Sequence, residues 1–336
     1  MLQQAIFDKK NILITGGAGF LGSHLCDRLV KKNKVICLDN FSTGSERNID
    51  HLLSNPNFVF INHDITKPIN FEDFEELNQF KIKFQGIQEI YNLACPTSPK
   101  NFLENRINII LANSEGVKNT LDLAVKYKAK FMQFSSSVVY GARKKNNNKI
   151  TENCLGEVNN LSKRSSYDEG KRFAETLVSN YSSIYGINAK IVRIFRTYGP
   201  RMKLDDNQMI PDIIRDAIDS KDITILGDEY FSTSFCYVSD CIDAVTKMME
   251  GYYLGPLNIG SDVDVNITEF AQKVISLTNS KSKIIYADKD LFITPLCIPN
   301  ISKAKEELNW MPIITLDKGI QMTIHDLQAS KGLLGY

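Results

Sequence analysis

Asn11-Ile12-Leu13-Ile14-Thr15-Gly16-Gly17-Ala18-Gly19-Phe20-Leu21-Gly22 is the stretch on which the reading of this chain turns. A five-residue, mostly apolar run has the length of a buried parallel strand and leads directly into glycines spaced Gly16-x-x-Gly19-x-x-Gly22. Ser23 to Lys32 then has helical spacing, with Leu25, Leu29 and Val30 on one face. A second apolar run, Val35-Ile36-Cys37-Leu38, ends on Asp39. Strand, glycine turn, helix and strand make a βαβ unit. Where side chains are missing, a pyrophosphate can approach backbone N–H groups, and the positive end of the helix dipole faces it. Asp39 lies about 17 residues beyond Gly22, near the spacing of a carboxylate that accepts from an adenosine ribose 2′-hydroxyl. Such a carboxylate repels a 2′-phosphate, so NAD is expected rather than NADP. The alternative is a purely structural glycine turn, which leaves Asp39 without a purpose.

Working outward, strand-like runs recur at Phe58–Ile61, Glu89–Leu93, Phe131–Phe134 and Lys190–Phe195. Helical patterns separate them, notably Ile107 to Tyr127 and Asp168 to Ser183. This alternation predicts an α/β fold, a Rossmann-type doubly wound parallel sheet. Beyond Tyr198 the elements become shorter and mixed. The expected division is therefore residues 1–197 as the NAD-binding domain and 198–336 as mainly a smaller C-terminal substrate-binding lobe, with some segments returning to the sheet. The patch Arg143 to Lys149 reads as a solvated loop tip, with a place at the rim of the active site as the alternative.

Composition narrows the function classes. The 336 residues carry 40 Lys+Arg against 39 Asp+Glu, a net charge of +1, which gives no basic excess for nucleic acid. Seven scattered cysteines and four histidines form no metal-ligand spacing, so no metal is expected. Most of the thiols read as small buried hydrophobes in a reducing compartment. The first ten residues lack the apolar core of a signal peptide, and no run approaches about 18 apolar residues. A cytoplasmic protein without a membrane partner is expected.

Tyr167-Asp168-Glu169-Gly170-Lys171 puts Tyr167 and Lys171 on one face of a helix. A tyrosine near pKa 10 becomes a useful base when a nearby cation favours its phenolate, and Lys171 can supply that cation. Ser136 ends a strand in Phe134-Ser135-Ser136-Ser137, where a hydroxyl can face a cofactor at the carboxyl edge of the sheet. After a dinucleotide fingerprint, this set points to hydride transfer at a carbinol carbon.

Those motifs, with Leu38-Asp39-Asn40-Phe41, Asn62-His63-Asp64-Ile65, Asn92-Leu93-Ala94, Lys171-Arg172 and Arg193-Ile194-Phe195, resemble the extended short-chain dehydrogenases/reductases, which act on nucleotide sugars. Within that family, Ala94-Cys95-Pro96-Thr97-Ser98-Pro99, Tyr198-Gly199-Pro200-Arg201-Met202, Phe235 to Asp240 and Ile301 to Lys305 resemble the UDP-glucuronate decarboxylase branch. The resemblance runs from about residue 10 to 327. It implies that Phe20 and Leu21 join Gly16, Gly19 and Gly22 at the pyrophosphate. Asn40, Phe41, Thr43 and Gly44 would line the ribose beside Asp39, Asp64 and Ile65 would hold the adenine, and Leu93 and Ala94 would lie along the nicotinamide half. Tyr167 would take the proton of a sugar C4 hydroxyl, Ser136 would hydrogen-bond that oxygen, and Lys171 would hold the nicotinamide ribose and lower the tyrosine pKa. Pro96, Ser98, Ser136 and Ser137 would face the nucleotide-diphosphate sugar. The family's usual homodimer would bury Ile107–Tyr127 and Asp168–Ser183 of each subunit.

The chain also departs from that branch. The strand-end motif Thr-Ser-Glu-Val-Tyr-Gly stands here as Ser136-Ser137-Val138-Val139-Tyr140-Gly141, so Val138 replaces an acid beside the sugar. Family arginines near the substrate align with Thr233, Cys297 and Gln208, while Arg196 stands where the family has asparagine. Arg196 and the Arg143-Lys144-Lys145 loop are the cations that could compensate. The expected activity is therefore C4 oxidation with an epimerase-like outcome. UDP-glucuronate decarboxylation to UDP-xylose is the first alternative, and a non-catalytic NAD-binding regulator the second.

Overall fold

A computed structural model describes residues 9–98, 101–144, 149–204, 208–287 and 295–334. All five residues of strand β1, Asn11–Thr15, are buried, as a central strand covered on both faces requires. Around it lie β2 (Lys34–Asp39), β3 (Phe58–Asn62), β4 (Glu89–Asn92), β5 (Lys130–Ser136), β6 (Ala189–Ile194) and a seventh strand, Pro256–Ile259. Their order across the sheet is Pro256–Ile259, β6, β5, β4, β1, β2, β3. Pairing is parallel from β3 through β2, β1 and β4 to β5. The order reverses between β1 and β4, the position at which doubly wound sheets bind ligands beyond their carboxyl ends. The α/β doubly wound sheet expected from the alternation is the fold found.

Element ends differ from the periodicity in instructive ways. The first helix, α1, spans Phe20–Leu29 and starts three residues earlier than its apolar face suggests, because Gly19 already serves as its N-cap. The pattern expected over 107–127 is interrupted: Arg106–Leu111 and Val117–Tyr127 are joined by a π-turn at Ala112–Gly116. The helix expected over 168–183 spans Ser165–Tyr185.

By compactness the chain divides into two units, each assembled from several segments. Unit 1 comprises residues 1–95, 110–134 and 173–191. Unit 2 comprises 96–109, 135–172 and 192–336. The core of unit 1 joins Leu13, Ile36, Leu38 and Ile90 of the strands to Val117, Leu121, Ala124, Ala174 and Val178 of the covering helices. In unit 2 the buried Asp240 accepts from the backbone N–H groups of Ile313 and Ile314 at 3.0 and 2.9 Å, while Trp310 Nε1 donates to the Asp240 carbonyl at 3.0 Å. These bonds fasten the chain after Leu308 to the helix Val238–Glu250.

Candidate active site

In unit 1 the glycine turn is built to close tolerances. Gly16 has φ +69°, and a Cβ there would stand 2.8 Å from Ala94 N; at Gly22 a Cβ would stand 2.1 Å from Gly16 O. Neither position can take a side chain in this backbone. At Gly19 the nearest atom to a Cβ would be Gly16 O at 3.2 Å, a looser fit. Phe20 and Leu21 form the first turn of α1.

Asp39 at the end of β2 is 8% exposed. Its Oδ2 accepts from Ala18 N at 3.0 Å and its Oδ1 from Phe41 N at 2.8 Å. Burial pushes its carboxyl above the ordinary value, and the backbone N–H groups of Phe41, Ala18 and Asn40 oppose that rise. The loop that follows is held to the glycine turn, with Ser45 N and Asn48 Nδ2 both donating to Ala18 O, at 3.1 and 2.9 Å. Phe41, at φ +55°, stacks on Phe60 with centroids 4.9 Å apart. Gly44 comes so close that a Cβ would lie 3.1 Å from Asp39 Oδ1, and Asn40 and Thr43 are exposed and half-buried in the same loop. Asp64 Oδ1 accepts from Thr66 N at 2.9 Å. Ile65 packs on the π-turn, where a Cβ at Gly116 would lie 2.5 Å from Ile65 Cδ1.

The turn at Leu93 and Ala94 is fixed by side chains to which the motifs assign no role. Thr15 Oγ1 donates to Asn92 Oδ1 at 2.6 Å and accepts from Leu93 N and Ala94 N at 3.2 and 3.3 Å. Asn92 Nδ2 in turn donates to Gln133 Oε1 at 2.8 Å. Asn113, presented by the π-turn, donates to Cys95 Sγ at 3.1 Å. Buried polar residues at one level of neighbouring apolar strands were the available signal.

Unit 2 holds the hydroxyl and ammonium groups. Ser136 ends β5, and its Oγ accepts from Val138 N at 3.4 Å at the start of the turn Ser137–Tyr140. Tyr167 and Lys171 are both buried on the first turns of Ser165–Tyr185, with Lys171 Nζ 5.7 Å from the tyrosine ring centroid. Phe102 stacks on Tyr167 with centroids 5.0 Å apart and planes at 26°, and the Arg164 guanidinium lies 5.1 Å over the Phe102 ring. Neither Phe102 nor Arg164 was singled out by the motif. The buried Ser98 accepts from Asn101 Nδ2 at 2.7 Å, and Pro96 is buried beside it in sequence.

Four of the departure positions, Ser137, Val138, Thr233 and Cys297, are buried. Ser137 and Val138 are 1% and 3% exposed. Cys297 packs with Val139, Tyr140, Ile150 and Phe195, and burial pushes its thiol pKa up. Thr233 is buried and pairs with Val265. Gln208 is the N-cap residue of Met209–Ile218 and makes no side-chain cap bond. The cations of the 143–149 loop that are described are paired with acids: Arg143 with Asp264 at 2.8 Å, Lys144 with Glu157, and Lys149 with Asp262 at 3.1 Å. Lys145 lies outside the described residues.

The model of the NAD dependent epimerase/dehydratase family matches residues 12–260. The chain belongs to that family. Over 94% of its length it is 39% identical to UDP-glucuronic acid decarboxylase 1 of Arabidopsis thaliana, of which it covers 69%. It is 38% identical to UDP-glucuronic acid decarboxylase 6 of the same plant, covering 96% of this chain and 90% of that one. Among solved structures, the UDP-glucuronic acid 4-epimerase of Bacillus cereus in complex with UDP-glucuronic acid and NAD superposes with a TM-score of 0.82 at 25% identity, over 95% of this chain and 99% of that one. The family resemblance read from the motifs is thereby established, and with it an NAD-dependent enzyme. The residues present fit the cofactor: a turn that rejects side chains at Gly16 and Gly22, and a buried carboxylate at the end of β2. No helix among the described residues is long and apolar enough to cross a membrane.

Proposed function

We propose that the enzyme oxidises a nucleotide-diphosphate sugar at C4 and acts as an epimerase rather than a decarboxylase. Cofactor binding falls within residues 1–197, and 198–336 contribute most of the substrate lobe. Tyr167, as phenolate, takes the proton of the C4 hydroxyl, and the Lys171 ammonium supplies the positive charge that a phenolate needs. Ser136 Oγ hydrogen-bonds the same oxygen. When bound, NAD would supply reversible hydride acceptance at C4, the chemistry that oxidation there and inversion of the centre require. Gly16, Gly19, Phe20, Leu21 and Gly22 hold the pyrophosphate, with Asp39, Asn40, Phe41, Thr43 and Gly44 at the ribose. Asp64 and Ile65 take the adenine, and Leu93 and Ala94 the nicotinamide side.

The observation that carries this reading is Val138, an aliphatic side chain 3% exposed two residues after Ser136. Decarboxylation leaves an enolate that must be managed and protonated at C5, and removing a positioned proton-transfer group typically costs about 10²–10⁴ in rate. Cys297, packed among apolar side chains, offers no fixed charge for a sugar carboxylate either. UDP-glucuronate decarboxylation remains the second reading, favoured by the relatives at 38–39% identity. The test is a panel of nucleotide sugars followed by product NMR. A C4 epimer is expected, with turnover lowered about 10²–10⁴-fold in Tyr167→Phe. Efficient conversion of UDP-glucuronate to UDP-xylose would overturn the epimerase assignment, and full activity in Tyr167→Phe would overturn the role of the tyrosine.

The same reading places the enzyme in the cytoplasm as a homodimer. What supports the dimer is the apolar side chains exposed on Arg106–Leu111 (Ile107, Ile110 and Leu111) and on Ser165–Tyr185 (Phe173 and Ile184).

A further inference from the structure

Arg196 lies just beyond the carboxyl end of β6, where its backbone carbonyl accepts from Cys236 N at 3.0 Å. Its side chain is half-buried, its Nε is buried without a hydrogen-bond partner, and among the described residues no carboxylate pairs with its guanidinium. A second guanidinium, that of Arg164, acts on it electrostatically. Burial and then this like charge push the Arg196 pKa down to about 10, so it remains a cation at neutral pH.

Arg164 is already committed. It pairs with Asp168 at 3.3 Å, lies over Phe102, and its carbonyl accepts from Tyr167 N at 2.9 Å. Asp168 thus pairs with Arg164, and among the described residues no carboxylate pairs with Arg196 in its partly dehydrated place. A buried charge without a counter-ion is costly, and a guanidinium presents a planar fork of donors matched to carboxylate or phosphate.

We infer that Arg196 is the receptor for an oxyanion of the substrate. The inference rests on the proposed function only in taking that oxyanion to belong to a nucleotide sugar. Two parts of such a molecule have the required chemistry: the diphosphate, and the C6 carboxylate of a hexuronate.

Calorimetric titration of the NAD-loaded enzyme with UDP-glucuronate, UDP-glucose and UDP distinguishes them. Arg196→Gln is expected to weaken binding roughly 10- to 100-fold, with partial recovery in Arg196→Lys. An equal loss for all three ligands assigns the diphosphate, and a loss confined to UDP-glucuronate assigns the carboxylate. Unchanged affinity for all three, or no binding of any by the unmodified enzyme, overturns the inference. The thermal midpoint of the unliganded protein should stay level or rise in Arg196→Gln, and a clear fall would assign the guanidinium a structural partner instead. Tyr167→Phe keeps the two questions apart: if it still turns over while Arg196→Gln loses binding, the oxyanion receptor stands and the tyrosine assignment falls.

Discussion

Asp39 Oδ2 accepts a hydrogen bond from Ala18 N at 3.0 Å, so the residue that ends β2 also braces the glycine turn after β1. Asp39→Ala therefore removes a ribose acceptor and strips the acceptor from a buried N–H, a cost of about 1–3 kcal/mol. The expected outcome is a lower thermal midpoint together with weaker NAD binding and reduced discrimination against NADP. Fluorescence titration with both dinucleotides checks it. An unaltered preference for NAD would contradict the ribose assignment.

Burial raises the Asp39 pKa in the folded state above its unfolded value, so the ionised carboxylate weighs against folding at neutral pH. The sign follows: as pH falls through the raised folded value toward the ordinary carboxylate range, that penalty is relieved. Any stability that Asp39→Asn gains from carrying no charge should therefore shrink on acidification. Unfolding midpoints of both proteins, measured between neutral pH and about pH 4, give the difference. A gap that widens toward acid would show that the carboxylate is stabilised, not penalised, by its surroundings.

Thr15→Val keeps the shape of a β-branched side chain and removes the oxygen shared by Asn92, Leu93 N and Ala94 N. Leaving buried polar groups without partners costs about 1–3 kcal/mol. We expect a denaturant midpoint lowered accordingly and an increased KM for NAD, because the turn beside Gly16 is no longer held. A variant as stable as the parent would show that these groups find other partners.

Val138→Glu is expected to raise UDP-xylose formation from UDP-glucuronate, read by NMR of the product. Cys297→Arg should behave differently. It forces a guanidinium into the cluster of Val139, Tyr140, Ile150 and Phe195, and an uncompensated buried charge typically costs about 3–5 kcal/mol. Its thermal midpoint should drop by several degrees. If Cys297→Arg remains stable and gains decarboxylase activity, the cluster is more accommodating than its burial implies.

Ile110 and Phe173 are 45% and 49% exposed, on Arg106–Leu111 and Ser165–Tyr185. Sedimentation of the unmodified chain should give about twice 38.0 kDa, and Ile110→Lys with Phe173→Lys should give the monomer. Substitutions at exposed positions usually change stability by no more than about 0.5 kcal/mol, so the fold should survive. A monomeric parent would remove the dimer from the reading.

The sheet was legible because β1 to β6 are short apolar runs separated by helical spacing, and strand period and helix period differ. The glycine turn was legible because the positive φ of Gly16 and the approach of Gly22 to Gly16 O are local to the motif, although Gly16 also abuts Ala94. What escaped the sequence has the opposite character. Phe102 meets Tyr167 from 65 positions away, and Asn92 bonds Gln133 across 41, so no local pattern announces either pair. The π-turn at Ala112–Gly116 was hidden inside a convincing helical period. The basic run after Gly141 suggested an open cationic loop, but Arg143, Lys144 and Lys149 each meet an acid that is distant or unremarkable in the sequence.

Thr15, Asn92 and Gln133 stand at one level of β1, β4 and β5, where Thr15 is in register with Asn92 and Asn92 with Gln133. Apolar parallel strands carry little information about how far one may slide along the next. A slip of one residue would turn Asn92 to the opposite face and leave its amide in hydrocarbon, so only one alignment satisfies all three side chains. The row therefore acts as a key that selects the alignment of the three central strands while the chain assembles. Because each member needs the next, these strands should exchange their amide hydrogens as one cooperative block rather than fraying one by one.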